Sequence, residues 1–320
     1  MLYSFVKIIA RLALPIYCRD LAINKKELLK HKGPLLLAVN HPNSFLDAVI
    51  LCTLFDKPLY ALARGDAFKN KLAARFLYIF KMFPVYRVSE GVENMDENYK
   101  TFNLCKNIFK KNGIVLIFSE GRCINEWHLR PLKKGTARLA ISSWQDGIDV
   151  KVLPVAINYS SFKVFGKNIR LFFGDMITKE NIDYKDIHGN AIKQFNETLR
   201  PQLSKHVFEI ETGDKPALQK AFYVHQSALK KILLFVPAVI GLLVHAPLYY
   251  FTKWLGDYLI KEDGHDDSKL ITFLFILYPL FLISFGFLLY FLTGNRLSFL
   301  SLLLLPFTTW SYIQIKKQLD

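Results

Sequence analysis

The chain has 320 residues, 52% of them hydrophobic, and a formal charge of +15. That is enough chain for one or two domains with a real core. Its four cysteines show no paired metal spacing and no disulfide framework, so a reducing compartment is the expectation. Residues 232–320 carry as many acidic as basic residues, so the whole excess of positive charge falls on residues 1–231. A basic part joined to an apolar tail points to anionic partners, and the tail favours a lipid surface over nucleic acid.

Taken in order, residues 1–30 read as helix. Leu2, Phe5, Val6, Ile9, Leu12 and Leu14 recur near helical spacing around Lys7 and Arg11. This suits a membrane-surface helix or one packed on its own domain. The interrupting cations and the lack of a small-residue cleavage site argue against a signal peptide. Leu35–Val39 is a short buried-type strand followed by Asn40, His41, Pro42, Asn43 and Ser44. Pro42 ends the strand, Asn43 and Ser44 are cap-type residues, and a helix to about Phe55 places Asp47 near its first turn.

Pro58 to Arg64 is predicted as a strand, then a helix capped by Asp66 runs through Phe80. Phe83 to Val88 is an edge strand because of Pro84. Asn94 to Lys111 is a helix stopped by Gly113. Ile114 to Phe118 is a strand ending in Ser119, Glu120, Gly121 and Arg122. Leu132 to Trp144 is a helix, Lys151 to Tyr159 and Asn168 to Phe173 are strands, polar helices follow at about 179–187 and 190–209, and a basic helix at 215–231. The alternation argues an α/β domain over 31–231 with a central, mostly parallel sheet.

From 232 onward the pattern changes to membrane-anchoring helices, two or three in number. Ile232 to Thr252, Leu270 to Leu292 and Leu297 to Ile313 are runs of 21, 23 and 17 residues without Asp, Glu, Lys or Arg. The second would span roughly 34 Å, enough to cross a bilayer. Pro237, His245 and Pro247 make the first a candidate re-entrant or interfacial segment.

In open α/β sheets ligands bind at the carboxyl ends of the strands, where His41 falls. A neutral imidazole suits removal of a hydroxyl proton near pH 7, and Asp47 would orient the ring and stabilise the imidazolium. Six positions on a continuous helix would turn Asp47 about 240° from His41. The pair therefore needs His41 ahead of the helix, with Pro42 and Asn43 making the turn. Arg87 and Arg122 each follow a strand-like run and suit a phosphate, with Lys133 and Lys134 as further cations. Glu120 suits an acceptor hydroxyl or a bracing role on an arginine, and Gly121 permits close backbone approach. No Walker A, dinucleotide-binding, nucleophile-elbow or zinc spacing is present. Ser119 and Cys123 are therefore not read as nucleophiles, and no metal or cofactor is expected.

Four blocks in order carry a resemblance: Asn40-His41 with Asp47, Phe83-Pro84-Val85-Tyr86-Arg87, Phe118-Ser119-Glu120-Gly121-Arg122, and Val152-Leu153-Pro154-Val155. They resemble the motifs of the glycerophospholipid acyltransferase family, and Leu129 to Ala137 looks like the segment after its third block. The resemblance covers roughly residues 30–210 and not the C-terminal segments. It implies an acyltransferase-type α/β domain, His41 and Asp47 as the catalytic pair, and Arg87, Glu120, Gly121, Arg122, Lys133 and Lys134 about the substrate phosphate. Asn40, Ser44 and Pro154 would support them.

The chain departs from the family pattern in two places. His41 and Asp47 are separated by five residues instead of four, and Ser119 and Arg122 depart from the usual third block. The longer spacing is similar to a branch acting on glycerol-3-phosphate or dihydroxyacetone phosphate. The implied reaction moves a fatty acyl chain from acyl-CoA or acyl-carrier protein, as co-substrate, to such an acceptor in phospholipid synthesis. Lysophosphatidate is the alternative acceptor, and a non-catalytic lipid-binding membrane protein is the rival class. An integral membrane protein with its basic domain on the cytoplasmic face is expected, because acceptors and thioesters occur there.

Overall fold

A computed structural model describes residues 2–86, 95–185, 190–261 and 265–319. Helix α1 (Leu2–Tyr17) leads into strand β1 (Cys18–Ile23), then β2 (Leu35–Val39), α2 (Phe45–Leu54), β3 (Leu59–Arg64), α3 (Lys71–Ile79) and β4 (Met82–Val85). Next come α4 (Met95–Lys110), β5 (Ile114–Phe118), α5 (Lys134–Gln145), β6 (Lys151–Tyr159), β7 (Lys167–Phe173), α6 (Asn190–Ser204) and α7 (Lys215–Phe222). The strands form one sheet in the order β1-β7-β6-β2-β5-β3-β4. It is parallel except where β6 meets β7.

β2 is central because all five of its residues are apolar and buried, as a strand covered on both faces requires. Leu36 and Ala38 point into a core with Cys105 and Phe109 of α4, Ala137, Leu139 and Ile141 of α5, and Phe195 of α6. Leu35, Leu37 and Val39 point the other way, toward Leu46, Ile50 and Leu51 of α2. The result is three layers. Pro154 sits in β6 opposite Ala38. Val152, of the same parity, donates its N–H to Ile177 rather than to β2, so the N–H that proline lacks is one the β2 ladder never uses.

Residues 18–23, expected to be helical, form edge strand β1 beside β7. Buried Arg19 gives the reason: its guanidinium donates to the Ile313 and Lys316 carbonyls at the end of the last helix, both at 2.9 Å. No local pattern encodes that partner. Residues Gly65–Phe68 make a 3-10 turn, and Asn70, not Asp66, caps α3 through the Leu72 and Ala73 N–H groups. Of the helix expected at 179–187, the described residues 179–185 hold a 3-10 turn at Lys179–Asn181, and 186–187 lie outside the described residues.

α1 packs on α2 through its cations. Lys7 donates to the Asp56 carbonyl at 3.1 Å, and Arg11 to the Thr53 carbonyl at 2.7 Å. Both cations sit where the helix dipole of α2 favours them. The opposite face of α1 leaves Leu2, Phe5, Ile8 and Leu12 exposed.

Three C-terminal helices follow: α8 (Ala228–Leu259), α9 (Asp266–Thr293) and α10 (Ser301–Ile315). The helical stretches Ala228–Leu259, Asp266–Thr293 and Arg296–Ile315 are long and apolar enough to cross a membrane. α8 runs as one helix through Pro237 and Pro247, so the re-entrant expectation for that segment does not hold. It packs on α10 at Gly241, where a Cβ would fall on the Thr308 carbonyl. Such small-residue contacts let apolar helices approach without a hydrophobic driving force.

Candidate active site

Of three adjacent parallel strands, β2 and β5 end in register and β6 runs four residues further. β2 delivers Asn40 and His41, β5 delivers Ser119 and Glu120, and β6 delivers Tyr159. Asn40 extends the β2–β6 pairing with its side chain, donating to Ile157 O at 3.1 Å and accepting from Ile157 N at 2.8 Å. This pins the residue before His41.

His41 Nδ1 lies 2.8 Å from Asp47 Oδ2. Asp47 is fully buried, and its other donors are the Asn43 N–H on Oδ2 at 2.9 Å and the Tyr159 hydroxyl on Oδ1 at 2.7 Å. An ionised carboxylate only accepts, so the proton is assigned to His41 Nδ1 and the lone pair to Nε2. The His41 ring stacks on Phe118, with centroids 3.7 Å apart and planes 9° apart. Burial, followed by the nearby Asp47 charge, holds the Tyr159 hydroxyl well above the usual tyrosine range, so it remains a donor.

The long His-to-Asp spacing is absorbed at Ser44, with φ 56° and ψ −143°, rather than by Pro42 and Asn43 alone. A non-glycine residue holds this region only when its surroundings enforce it. Here the Ser44 N–H donates to Cys123 Sγ at 2.8 Å, and its hydroxyl lies 2.8 Å from His265 Nδ1. Ser44 is therefore not a side-chain cap for α2. Burial pushes the Cys123 thiol up to about 12, which leaves no thiolate to act as a nucleophile near neutral pH.

Glu120 accepts the His41 N–H on Oε2 at 3.1 Å and the Arg130 N–H on Oε1 at 3.2 Å. Its two oxygens thus brace two backbone segments instead of facing a phosphate. Burial raises its carboxyl to about 7 against the pull of those donors. Gly121 turns the chain at φ +73°, and a Cβ there would meet Lys133 Cγ at 2.9 Å. Arg122, Lys133 and Lys134 are exposed and, with His41, line one cleft of 2660 Å³. Lys133 and Lys134 stand at the start of α5, where the helix dipole also favours an anion. Arg87 lies outside the described residues.

Arg130 was not singled out from the sequence. It lines the same cleft, and its guanidinium rests 3.4 Å from Glu126. Its place in the run Leu129 to Ala137 was the available signal. Asn43 and Tyr159, which hold Asp47, carried none, because tertiary folding alone selects them. Among the described residues no group of three or more His, Cys, Asp or Glu is placed to hold a metal ion.

A half-buried imidazole fixed through Nδ1 by a buried carboxylate, at the edge of a basic cleft, can accept and return a proton at Nε2. Residues 20–158, which hold His41, Asp47 and Glu120, match the model of the Acyltransferase family. Comparison with curated protein sequences gives no match. Among solved structures, the 1-acyl-sn-glycerophosphate (LPA) acyltransferase PlsC from Thermotoga maritima is similar at 12% identity and a TM-score of 0.46. That match covers 64% of this chain and 78% of the other.

Proposed function

We propose that the protein is a membrane-bound acyltransferase that moves a fatty acyl chain from a thioester, acyl-CoA or acyl-carrier protein, to a hydroxyl of glycerol-3-phosphate or dihydroxyacetone phosphate. The observation that carries this reading is the His41–Asp47 pair with Nε2 free toward the basic cleft. Nε2 takes the acceptor's proton as its oxygen attacks the thioester carbonyl. Asp47 stays ionised and stabilises the imidazolium, which then protonates the departing thiolate. The acceptor phosphate faces Arg122, Arg130, Lys133 and Lys134, where guanidinium forks suit it. The apolar remainder of the cleft, between α1 and α9, receives the acyl chain. The three apolar helices hold the enzyme in the bilayer, with residues 1–231 on the cytoplasmic side.

The test is an acceptor panel on purified membranes with a labelled donor, using wild type and His41→Ala. Transfer to glycerol-3-phosphate or dihydroxyacetone phosphate that is lost in His41→Ala is expected. Product from lysophosphatidate alone would overturn the choice of acceptor. Free fatty acid released without an acceptor would mark an esterase. A folded His41→Ala with undiminished transfer would leave the non-catalytic reading.

A further inference from the structure

The turn between His41 and Asp47 is held from its far side by Lys167 and Asp267, which lie outside residues 20–158 and outside the four blocks that carry the resemblance. Asn43 Nδ2 donates to Asp267 Oδ2 at 2.8 Å. Asp267 lies in the first turn of α9, is 1% exposed, and pairs with fully enclosed Lys167, at the start of β7. The Lys167 ammonium sits 5.7 Å from the ring centroids of both Tyr17 and Tyr159. Tyr17 donates to the same Asp267 oxygen at 3.4 Å. Two routes therefore run from Asp267 to Asp47: one through the Asn43 side chain and its own N–H, the other through Lys167 and the Tyr159 ring to its hydroxyl. Beside them His265 meets Ser44, the residue with the strained backbone. Consecutive turn residues, Asn43 and Ser44, are each tied to the segment that opens α9.

A buried ion pair is a poor source of stability, because desolvation cancels most of its attraction. A surface anchor has no need of one inside the α/β core. We propose that Asp267 is a positioning residue for the His41–Asp47 pair, so that the C-terminal helices complete the active site as well as holding the protein at the membrane. Asp267 fixes Asn43, Asn43 presents its N–H to Asp47, and Lys167 balances the carboxylates on either side. This rests on His41 acting as the base in acyl transfer. The helices are thereby part of the catalytic unit, and displacing α9 loosens the turn that orients the imidazole.

The test uses the full-length protein in detergent or nanodiscs. Asn43→Ala cuts the tie while leaving the Lys167–Asp267 pair intact. Asp267→Ala with Lys167→Met removes both charges together, and Asp267→Asn with Lys167→Met restores an acceptor oxygen for Asn43 without a charge. Each is measured for kcat, for donor and acceptor KM, for thermal unfolding, and for the downfield Nδ1 proton of His41 by NMR, assigned against His41→Ala. The first two variants should lose kcat by ~10–100-fold with KM nearly unchanged, as expected for slight misplacement of a catalytic group. The His41 proton signal should broaden or vanish. The Asp267→Asn/Lys167→Met variant should recover both.

Folded Asn43→Ala and Asp267→Ala/Lys167→Met proteins with wild-type kcat and an intact His41 signal would overturn the proposal. If the Asp267→Ala/Lys167→Met protein does not fold, Asn43→Ala decides alone. If wild type transfers no acyl group to any acceptor, the functional reading fails, while the His41 signal still reports on the network.

Discussion

A buried carboxylate is expensive unless its lone pairs are used, and Asp47 spends them on His41, Asn43 and Tyr159. Each donor therefore bears on orientation as well as stability. Asp47→Asn should keep the fold but allow the wrong imidazole tautomer, lowering kcat by ~10³–10⁴-fold. Steady-state kinetics beside a thermal melt checks this. Tyr159→Phe removes one donor from a buried oxygen and should cost ~1–3 kcal/mol of stability, read by denaturant or thermal unfolding, with a smaller loss of kcat. Glu120 gives the pH dependence. Its folded carboxyl, raised to about 7, holds a proton that the unfolded chain has already released. Its contribution to stability is fully present below pH ~4.5 and is lost as pH rises through about 7, a change on the order of 3 kcal/mol. Unfolding profiles of wild type and Glu120→Gln across that window should differ in slope, with the variant flatter.

At the level of elements, the strands that carry the site were legible because each is a short apolar run closed by polar residues. Leu35–Val39, Ile114–Phe118 and Lys151–Tyr159 are found where the pattern placed them. His41 and Asp47 were legible because their partnership is local, six residues apart. β1 was not legible, since Arg19 and Asp20 interrupt its apolar pattern and its burial depends on α10. Asp66 looked like a cap, yet Asn70 took that role because the chain first makes a 3-10 turn. The contact of α8 with α10 gives an element-scale prediction. Gly241→Val places a branched side chain against the Thr308 carbonyl and should force the helices apart. A cysteine pair across this contact that cross-links in the glycine protein should fail to do so in the valine variant.

For the whole molecule, the basic residues 1–231 and the apolar helices suggest two modes of membrane attachment that respond differently to salt. Charge attraction fades with ionic strength, whereas a spanning helix is indifferent to it. The protein should stay in the membrane pellet through high-salt and alkaline washes and leave only with detergent. Release by salt alone would show that none of the three helices spans. The site's dependence on residues far along the chain was not readable from the sequence. Lys167 and Asp267 each look like ordinary charged residues until folding brings them together across 100 positions.

The grip of Arg19 on the end of α10 has a consequence in time. Its contact with Ile313 closes a gap of 294 positions, so the first strand of the sheet cannot be sealed until nearly the whole chain has been made. At ordinary elongation rates that is a wait of ~15–60 s after Arg19 is synthesised. Throughout it the nascent α/β layers lack their edge clasp, and until Asp267 has been made Lys167 lacks its counter-ion. If Asp267 positions the His41–Asp47 pair as proposed, a growing chain stays unfinished at that site until its C-terminal helices have been delivered.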